Sequence, residues 1–342
     1  MTARLKRKAP APGVPVAVRD FVRARFAERS STLEILPLAG DASTRRYFRL
    51  AQGPETKVIA LYPEPFMPGE LSFNVVRGLL AGYGLPVPEI LDQDGERAIV
   101  VLEDLGDHLL QQVLKDAEAS EIVEIYREAT DQLVQLQHAA ARSPQKAACF
   151  HVAFDIEKLS WELHYFEKHF LEGLRGADLG VEDRATLAEG FHRLAEEMAS
   201  WPRVLCHRDF HSRNLMRHHG VLFWIDFQDA RMGPATYDLA SLLRDSYVDL
   251  AEEFVAERAE EFRQRALPGE AKDAFQRRFD LTSVQRNLKA LGTFGYMATV
   301  RQNSVYLQYI PRTLRYAAHN LRRYPELAGL QRVLARHVEE LS

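Results

Sequence analysis

The sequence predicts an α+β fold in two lobes, a small β-rich N-terminal lobe and a larger, mostly helical C-terminal lobe. Short β-rich stretches support the first lobe. Apolar and polar residues alternate in 33–39 and 46–51, and Val58–Tyr62 and Ala98–Leu102 are apolar runs. Helical spacing follows, since apolar residues then recur at three- and four-residue steps: Ile122, Ile125, Ala129, Leu133 and Leu136.

This change of periodicity places the lobe boundary near residue 107. We therefore expect three segments: a flexible basic tail at 1–18, an N-lobe at 19–106 and a C-lobe at 107–342. The tail is rich in Lys and Arg but lacks the apolar segment of a signal peptide.

The composition is typical of a cytoplasmic enzyme. Of the 342 residues, 46% are hydrophobic and 27% charged, which is ample for a large core. A net charge of −4 argues against nucleic acid as a partner. No apolar run approaches the roughly 20 residues that span a membrane, and two cysteines, Cys149 and Cys206, give no disulfide framework. We expect a cytoplasmic monomer that acts on a small molecule.

Three polar side chains follow two apolar runs at a spacing that phosphoryl transfer uses. Asp209 and Asn214 come after Val204–Cys206, and Asp226 comes at the end of Val221–Ile225. In transfer from ATP, one aspartate orients and deprotonates the attacking hydroxyl, while an asparagine and a second aspartate hold Mg²⁺. We predict that Asp209 is the catalytic base and that Asn214 and Asp226 are the metal ligands, with ATP and Mg²⁺ as cofactors.

The histidines near these residues favour structural roles. His207 adjoins Asp209 and is expected to brace the loop through hydrogen bonds. His218 and His219 precede Gly220 in a predicted hairpin turn between the two runs. A zinc site is disfavoured because no second group of ligands has the spacing of a structural zinc site.

The motifs resemble those of the aminoglycoside phosphotransferase superfamily, small-molecule kinases with the two-lobed protein-kinase-like fold. The resemblance rests on His207-Arg-Asp-Phe-His-Ser-Arg-Asn214, Ile225-Asp-Phe-Gln-Asp-Ala230 and Gly233-Pro-Ala-Thr-Tyr-Asp238. Within the superfamily, the chain resembles the bacterial anomeric kinases of N-acetylmuramate and N-acetylglucosamine in cell-wall recycling. The stretches Asp41–Phe48, Leu102–Asp107, Gln285–Gly292 and Tyr306–Arg312 support that narrower similarity. It implies ATP-dependent phosphorylation of an anomeric sugar hydroxyl.

The resemblance also implies nucleotide contacts in the N-lobe. The turn at Gly40–Thr44 would cradle phosphates through its backbone, with Ser43 and Thr44 as side-chain donors. Kinases usually carry a phosphate-binding lysine on the third strand, but Val58–Tyr62 has none, so Arg46 or Arg49 is the candidate cation. The backbone at Glu103, Asp104 and Leu105 would bind the adenine edge.

Further candidates lie close to the catalytic motif or in the first long C-lobe helices. Arg208 or Arg213 would stabilise the transferring phosphoryl group, and Asp238 would support the catalytic loop. Candidate substrate residues are Asp209, Arg213, Glu162, His164 and Asp229. The many aromatic residues of Phe154–Leu174 could line a sugar pocket, but core packing is the favoured interpretation.

Three alternatives remain open. A kinase of aminoglycosides would need a carboxylate-lined pocket, for which the acidic segment at 249–261 is the only support. A kinase of choline, homoserine or another small alcohol would share the same catalytic residues. A nucleotide-binding pseudokinase is the third, kept open by the missing strand lysine.

Overall fold

The computed structural model describes residues 13–26, 33–38, 45–144 and 146–341. The chain divides into two compact units. The first comprises 1–75 with 87–106, and the second comprises 76–86 with 107–342. The predicted turn at Gly40–Thr44, with Ser43 and Thr44, lies outside the described residues.

An antiparallel sheet of five strands forms the first unit, in the order β1-β2-β3-β5-β4. The strands are β1 (Glu34–Pro37), β2 (Arg46–Gln52), β3 (Glu55–Leu61), β4 (Ile90–Asp94) and β5 (Ile99–Glu103). Because side chains alternate between the faces of a strand, Phe48 and Leu50 of β2 share one buried face. Helix α1 (Val16–Arg25) packs Val18, Phe21 and Val22 against that face.

Helix α1 corrects the end of the predicted basic tail. It begins at Val16, two residues before the end of the 1–18 segment, and Val18 is fully buried. The apolar spacing of Val18, Phe21 and Val22 fits one helical face, and burial of that face holds the helix on the sheet.

Helices dominate the second unit. Helix α2 (Ser72–Gly82) begins in the first unit and ends in the second. The other helices are α3 (Leu110–Asp116), α4 (Ala119–Arg142), α5 (Ile156–Phe166), α6 (Val181–Ser200), α7 (Tyr237–Leu243), α8 (Glu252–Ala266), α9 (Lys272–Thr299), α10 (Ile310–Leu321) and α11 (Ala328–His337). A π-helical segment, Glu167–Leu174, continues α5, and short 3₁₀ turns cover Ala148–Phe150, Ser304–Tyr309, Pro325–Leu327 and Glu339–Leu341. Among the described residues, no helix is long and apolar enough to cross a membrane.

Two small antiparallel ladders lie among these helices. One pairs β6 (Arg203–Cys206) with β9 (Arg231–Pro234), and the other pairs β7 (Leu215–His218) with β8 (Val221–Trp224). His219 and Gly220 join β7 to β8 with φ of 47° and 80°. Positive φ at both central residues is the requirement of a type I′ turn, so the predicted hairpin is confirmed.

Helix α9 packs against α5 and the π-helical segment at very short range. A Cβ on Gly292 would lie 2.8 Å from the Cα of Phe166, and one on Gly295 would lie 2.2 Å from the carbonyl oxygen of His169. Only glycine permits this approach. It fixes the position of the polar residues on α9 that reach the site described next.

Candidate active site

Two residues of the predicted site have a backbone conformation that few side chains adopt. Arg208 lies in the loop 207–214 between β6 and β7, the predicted catalytic loop, and Asp226 follows β8. Arg208 and Asp226 have φ of 89° and 62°, the left-handed region that non-glycine residues rarely occupy. Such backbone strain persists only where the surroundings enforce it, and it is common at functional sites. Both residues stand within two positions of the ends of their apolar runs, where the sequence predicts the chemistry.

Two buried carboxylates enforce that loop conformation. Asp238 accepts hydrogen bonds from the backbone N–H groups of His207 (2.6 Å) and Arg208 (2.9 Å), which confirms its predicted supporting role. Asp245 accepts from the N–H groups of Ser212 (2.9 Å) and Tyr247 (2.8 Å). Burial raises the pKa of both carboxyls, although the N–H donors favour the ionised form.

His207 completes the brace, as its position in the sequence predicts. Its Nε2 lies 3.0 Å from the carbonyl oxygen of Ile225, and its Nδ1 lies 3.3 Å from the N–H of Asp209. With Nε2 donating and Nδ1 accepting, the ring satisfies both contacts. His207 therefore links the catalytic loop to the segment that carries Asp226, and its role is to position neighbouring groups.

Asn214 ties the catalytic loop to the end of β8. Its Nδ2 donates to the carbonyl oxygen of Asp209 (2.9 Å), and its own carbonyl accepts from the N–H of Ile225 (3.0 Å). Asp226 follows Ile225 directly, and its carboxylate accepts a hydrogen bond from the side-chain amide of Gln228 (3.0 Å). The amide oxygen of Asn214 and the carboxylate of Asp226 are hard oxygen ligands, the type that Mg²⁺ prefers. These residues fit the predicted metal ion in donor chemistry.

Asp209 is surrounded by positive charge. Its Oδ1 lies 2.8 Å from Nζ of Lys289 and 3.7 Å from the guanidinium of Arg286, and its Oδ2 lies 3.6 Å from Nε of Arg208. Burial alone would raise the pKa of Asp209, but these cations outweigh it and hold that pKa well below its usual range. The carboxylate is therefore ionised at neutral pH, and 29% of its side chain remains exposed to a reactant.

Lys289 and Arg286 are functional candidates that sequence reasoning missed. Both lie on α9, 80 and 77 positions from Asp209 in the chain. Arg286 also donates to the carbonyl oxygen of Arg208 (2.6 Å) and lies over the ring of Tyr237. The sequence offered a signal, because the polar residues at 285, 286 and 289 lie among the apolar residues at 284, 288, 290 and 291.

The predicted substrate residues separate into two groups. Glu162 is 1% exposed and accepts a hydrogen bond from Gln285 (2.9 Å), and Asp229 lies 3.4 Å from Arg208. Both therefore adjoin the catalytic cluster, which is Asp209 with its three cations Arg208, Arg286 and Lys289. His164 instead pairs with Glu167 at 2.9 Å and contacts Phe191 of α6. Because α-helical residues two apart point in different directions, His164 and Glu162 lie on different faces of α5. A substrate role for His164 stays a prediction.

Arg213 packs against aromatic rings. Its guanidinium lies 4.9 Å from the ring centre of Tyr247 and 5.4 Å from that of Tyr306. Tyr247 also contacts the ring of His211, whose pKa burial lowers to about 3. His211 is therefore neutral at physiological pH, and Arg213 contributes a stacked cation on the same side of the catalytic loop.

In the first unit, Arg49 holds the segment that follows β5. Its Nε and Nη2 lie 2.5 and 3.0 Å from the two carboxylate oxygens of Asp104, and Nη2 also donates to the carbonyl of Gly106 (3.2 Å). This bidentate ion pair with Asp104 gives Arg49 a structural role. Arg46, at the start of β2, lies over the ring of Phe48 at 5.3 Å. A phosphate-binding role for Arg46 or Arg49 stays a prediction.

The predicted hinge residues belong to the same unit. The N–H of Glu103 donates to the carbonyl of Glu89 (2.9 Å), and its carboxylate accepts from the N–H of Glu89 (3.1 Å). Leu105 is buried. Contact between this backbone and adenine stays a prediction.

Comparisons with known proteins identify the family of the chain. The model of the phosphotransferase enzyme family matches residues 34–275. The N-acetylmuramate/N-acetylglucosamine kinase of Pseudomonas aeruginosa is 35% identical over 88% of each chain. That of Neisseria meningitidis serogroup B is 32% identical over 95% of this chain and 97% of its own.

A solved structure supports the predicted fold class. Choline kinase from Cryptosporidium parvum Iowa II superimposes with a TM-score of 0.61 at 14% identity, covering 95% of this chain and 99% of its own. That likeness confirms the kinase-like α+β fold. Since the family model matches more than half of the residues, the chain belongs to the phosphotransferase enzyme family.

Proposed function

We propose that the protein is an ATP-dependent kinase that phosphorylates the anomeric hydroxyl of N-acetylmuramate and N-acetylglucosamine in peptidoglycan recycling. The observation that carries the proposal is an ionised Asp209, held by Lys289 and Arg286 on a loop that hydrogen bonds to Ile225 fasten to the segment carrying Asp226. The choice of sugar comes from the names of the relatives.

Asp209 acts on the acceptor hydroxyl. Because three cations lower its pKa, Asp209 is a weak base, so it orients the hydroxyl and takes the proton late in transfer. An anomeric hydroxyl suits such a base, since the ring oxygen makes it more acidic than an ordinary alcohol. The low pKa of Asp209 and the acidity of this acceptor are therefore matched.

The same cations serve the transferring phosphoryl group. Lys289 and Arg208 place positive charge within 4 Å of Asp209, where a hydroxyl bound to that carboxylate meets the phosphorus. Fixed charges of this kind stabilise the negative charge of the transition state. Mg²⁺ held by Asn214 and Asp226 would neutralise the β- and γ-phosphates of ATP.

The cation cluster disfavours the alternative acceptors. An aminoglycoside or choline is positively charged, and Lys289, Arg208 and Arg286 repel such a substrate. The acidic segment that could bind a polycation is also committed elsewhere. Three of its carboxylates pair with arginines of the chain itself: Asp249 with Arg315 (2.6 Å), Glu252 with Arg244 (2.7 Å) and Glu261 with Arg258 (2.8 Å).

A coupled ADP-release assay with Mg²⁺-ATP tests the proposal. The acceptor panel comprises N-acetylmuramate, N-acetylglucosamine, glucose, kanamycin, choline and homoserine. We expect turnover of the two N-acetylated sugars and its loss in Asp209→Asn. Turnover of kanamycin or an alcohol alone would overturn the substrate, and silence across the panel with ATP still bound would favour the pseudokinase.

Removal of Asp226 is expected to abolish the magnesium-dependent part of nucleotide binding. Asp226→Ala deletes a carboxylate ligand, so Mg²⁺-ATP should no longer raise the melting temperature more than ATP with EDTA does. Asp178→Ala, which deletes an exposed loop carboxylate, is the matched control and should keep the wild-type shift. An unchanged magnesium-dependent shift in Asp226→Ala would contradict the metal role.

A further inference from the structure

A row of aromatic rings runs along the outer face of α5 and onto α9. Trp161 is 55% exposed and stacks on Tyr165, with ring centres 5.3 Å apart at an angle of 29°. Tyr165 in turn contacts His169 (4.3 Å) and Tyr296 (5.8 Å). Core packing, the role predicted for Phe154–Leu174, is confirmed for the opposite face of this segment. Four of its residues are fully buried there: Leu159, Leu163, Phe166 and Phe170.

Lys158 connects this row to the catalytic cluster. Its Nζ lies 4.1 Å from the ring centre of Trp161 and 3.5 Å from Oε1 of Glu162. Glu162 accepts a hydrogen bond from Gln285, the residue before Arg286. Burial lowers the pKa of Lys158, and the positive charge of Arg208 also lowers it. One set of contacts and charge interactions therefore runs from the rings through Lys158 and Arg208 to Asp209.

Buried polar atoms in this set have unmet hydrogen-bonding capacity. Among the described residues, Glu162 Oε1, Gln285 Oε1 and Arg208 Nε are buried without a hydrogen bond, although two of them take part in ion pairs, Glu162 Oε1 with Lys158 and Arg208 Nε with Asp209. Nearly all such atoms in folded proteins are satisfied, so each exception needs an explanation. Two acceptors and one donor within this set fit a ligand rich in hydroxyl and amide groups.

The row has the chemistry of a saccharide platform that also carries a cation. The apolar C–H face of a pyranose packs on aromatic rings, which combine a large apolar surface with little conformational freedom. The two sugars in the names of the relatives differ in one respect, since N-acetylmuramate carries a lactyl ether with a carboxylate and N-acetylglucosamine does not. Only the first can pair with an ammonium group at the edge of the platform.

We propose that Trp161 and Tyr165 form the platform for the acceptor sugar and that Lys158 binds the lactyl carboxylate of N-acetylmuramate. This inference rests on the proposed function and adds the determinant that separates the two substrates. Lys158 suits the role better than Arg208, because Arg208 already faces Asp209 and Asp229. An ammonium group has three donors, so Lys158 can keep Glu162 and accept a second carboxylate.

The decisive experiment compares kcat/KM for both sugars in Lys158→Met, Lys158→Arg, Trp161→Ala and a control. We expect Lys158→Met to lose about tenfold or more on N-acetylmuramate, the low end for a charged hydrogen bond, and to stay within about twofold on N-acetylglucosamine. Lys158→Arg should keep most of the wild-type value. Trp161→Ala should lose about threefold to tenfold on both sugars. The control, Lys168→Met, removes an exposed lysine of the neighbouring π-helical segment and should change neither.

A neutral substrate isolates the carboxylate contact without relying on the fold of any variant. With the wild-type enzyme, the methyl ester of N-acetylmuramate should lose the same factor that Lys158→Met loses on the acid. In Lys158→Met, esterification should cost nothing further. Full activity on the ester in the wild type, or equal losses on both sugars in Lys158→Met, would overturn the role of Lys158.

The remaining outcomes are also distinguishable. Unchanged kinetics in Trp161→Ala would overturn the platform. Failure of the wild-type protein to phosphorylate either sugar would refute the proposed function itself, whereas wild-type turnover with insensitive variants would refute the inference alone.

Discussion

Replacement of Asp209 by asparagine is expected to lower kcat at least about 100-fold, the low end of the contribution of a general base. Asparagine can still accept a hydrogen bond from Lys289, but its amide cannot take the proton of the acceptor hydroxyl. Asn214 and Asp226 are untouched, so the shift in melting temperature caused by Mg²⁺-ATP should persist. The ADP-release assay and thermal unfolding of the same preparation measure the two effects.

The control for this variant is Asp273→Asn, which alters an exposed aspartate in the first turn of α9. It should retain wild-type turnover. Turnover close to wild type in Asp209→Asn would exclude Asp209 as the base. A simultaneous loss of the nucleotide shift would instead mean that the loop had been disturbed, and circular dichroism would show it.

The catalytic loop could be predicted because its chemistry is concentrated in a short piece of chain. Asp209, Asn214 and Asp226 lie within eighteen positions, each within three residues of one end of a short strand, so their spacing alone predicts roles for them. The hairpin between β7 and β8 was equally predictable, since a histidine followed by Gly220 tolerates the positive φ of a tight turn. Local signals of this kind need no knowledge of tertiary packing.

Residues that reach the site through packing left only weak signals. Lys289 meets Asp209 because Gly292 and Gly295 let α9 approach α5 and the π-helical segment closely. Periodicity shows that α9 is a buried helix, but it does not tell which neighbour a polar residue on it faces. Arg49 illustrates the converse, since this candidate for phosphate binding also contacts Asp104, which its position on β2 does not predict. In both cases the partner is more than fifty positions away in the chain.

The different surroundings of Glu162 and His164 on α5 also depend on tertiary packing. Glu162 and His164 are neighbours in sequence, yet one is buried beside Gln285 and the other is half-exposed beside Glu167. Helical geometry turns residues two apart onto different faces. The choice of face depends on where α9 packs, which the sequence of α5 does not encode.

Replacement of Lys289 by methionine, which has a similar length and no charge, is expected to lower kcat about 100-fold. Loss of one fixed charge or donor at a developing negative charge has effects of this order. Asp209 becomes a slightly stronger base when Lys289 is absent, but this gain is small because Arg208 and Arg286 remain. The loss of charge stabilisation therefore dominates.

The pH profile separates this role from a purely structural one. Asp209 must be ionised to act, and in the wild type the cations hold its pKa well below the usual range. Removal of Lys289 raises that pKa, so the acidic limb of kcat/KM moves to higher pH. Lys289→Arg keeps the charge and should leave the limb near its wild-type position. Lys272→Met, at the exposed start of α9, should change neither rate nor limb.

Two results would contradict the assignment of Lys289. An acidic limb that stays fixed in Lys289→Met while kcat falls would show that the ammonium does not control the ionisation of Asp209. Wild-type kcat with a shifted limb would show that it tunes the base but does not stabilise the transferring phosphoryl group. The geometry favours both roles together, because one ammonium 2.8 Å from Oδ1 of Asp209 lies beside the base and beside the atom that the base directs toward phosphorus.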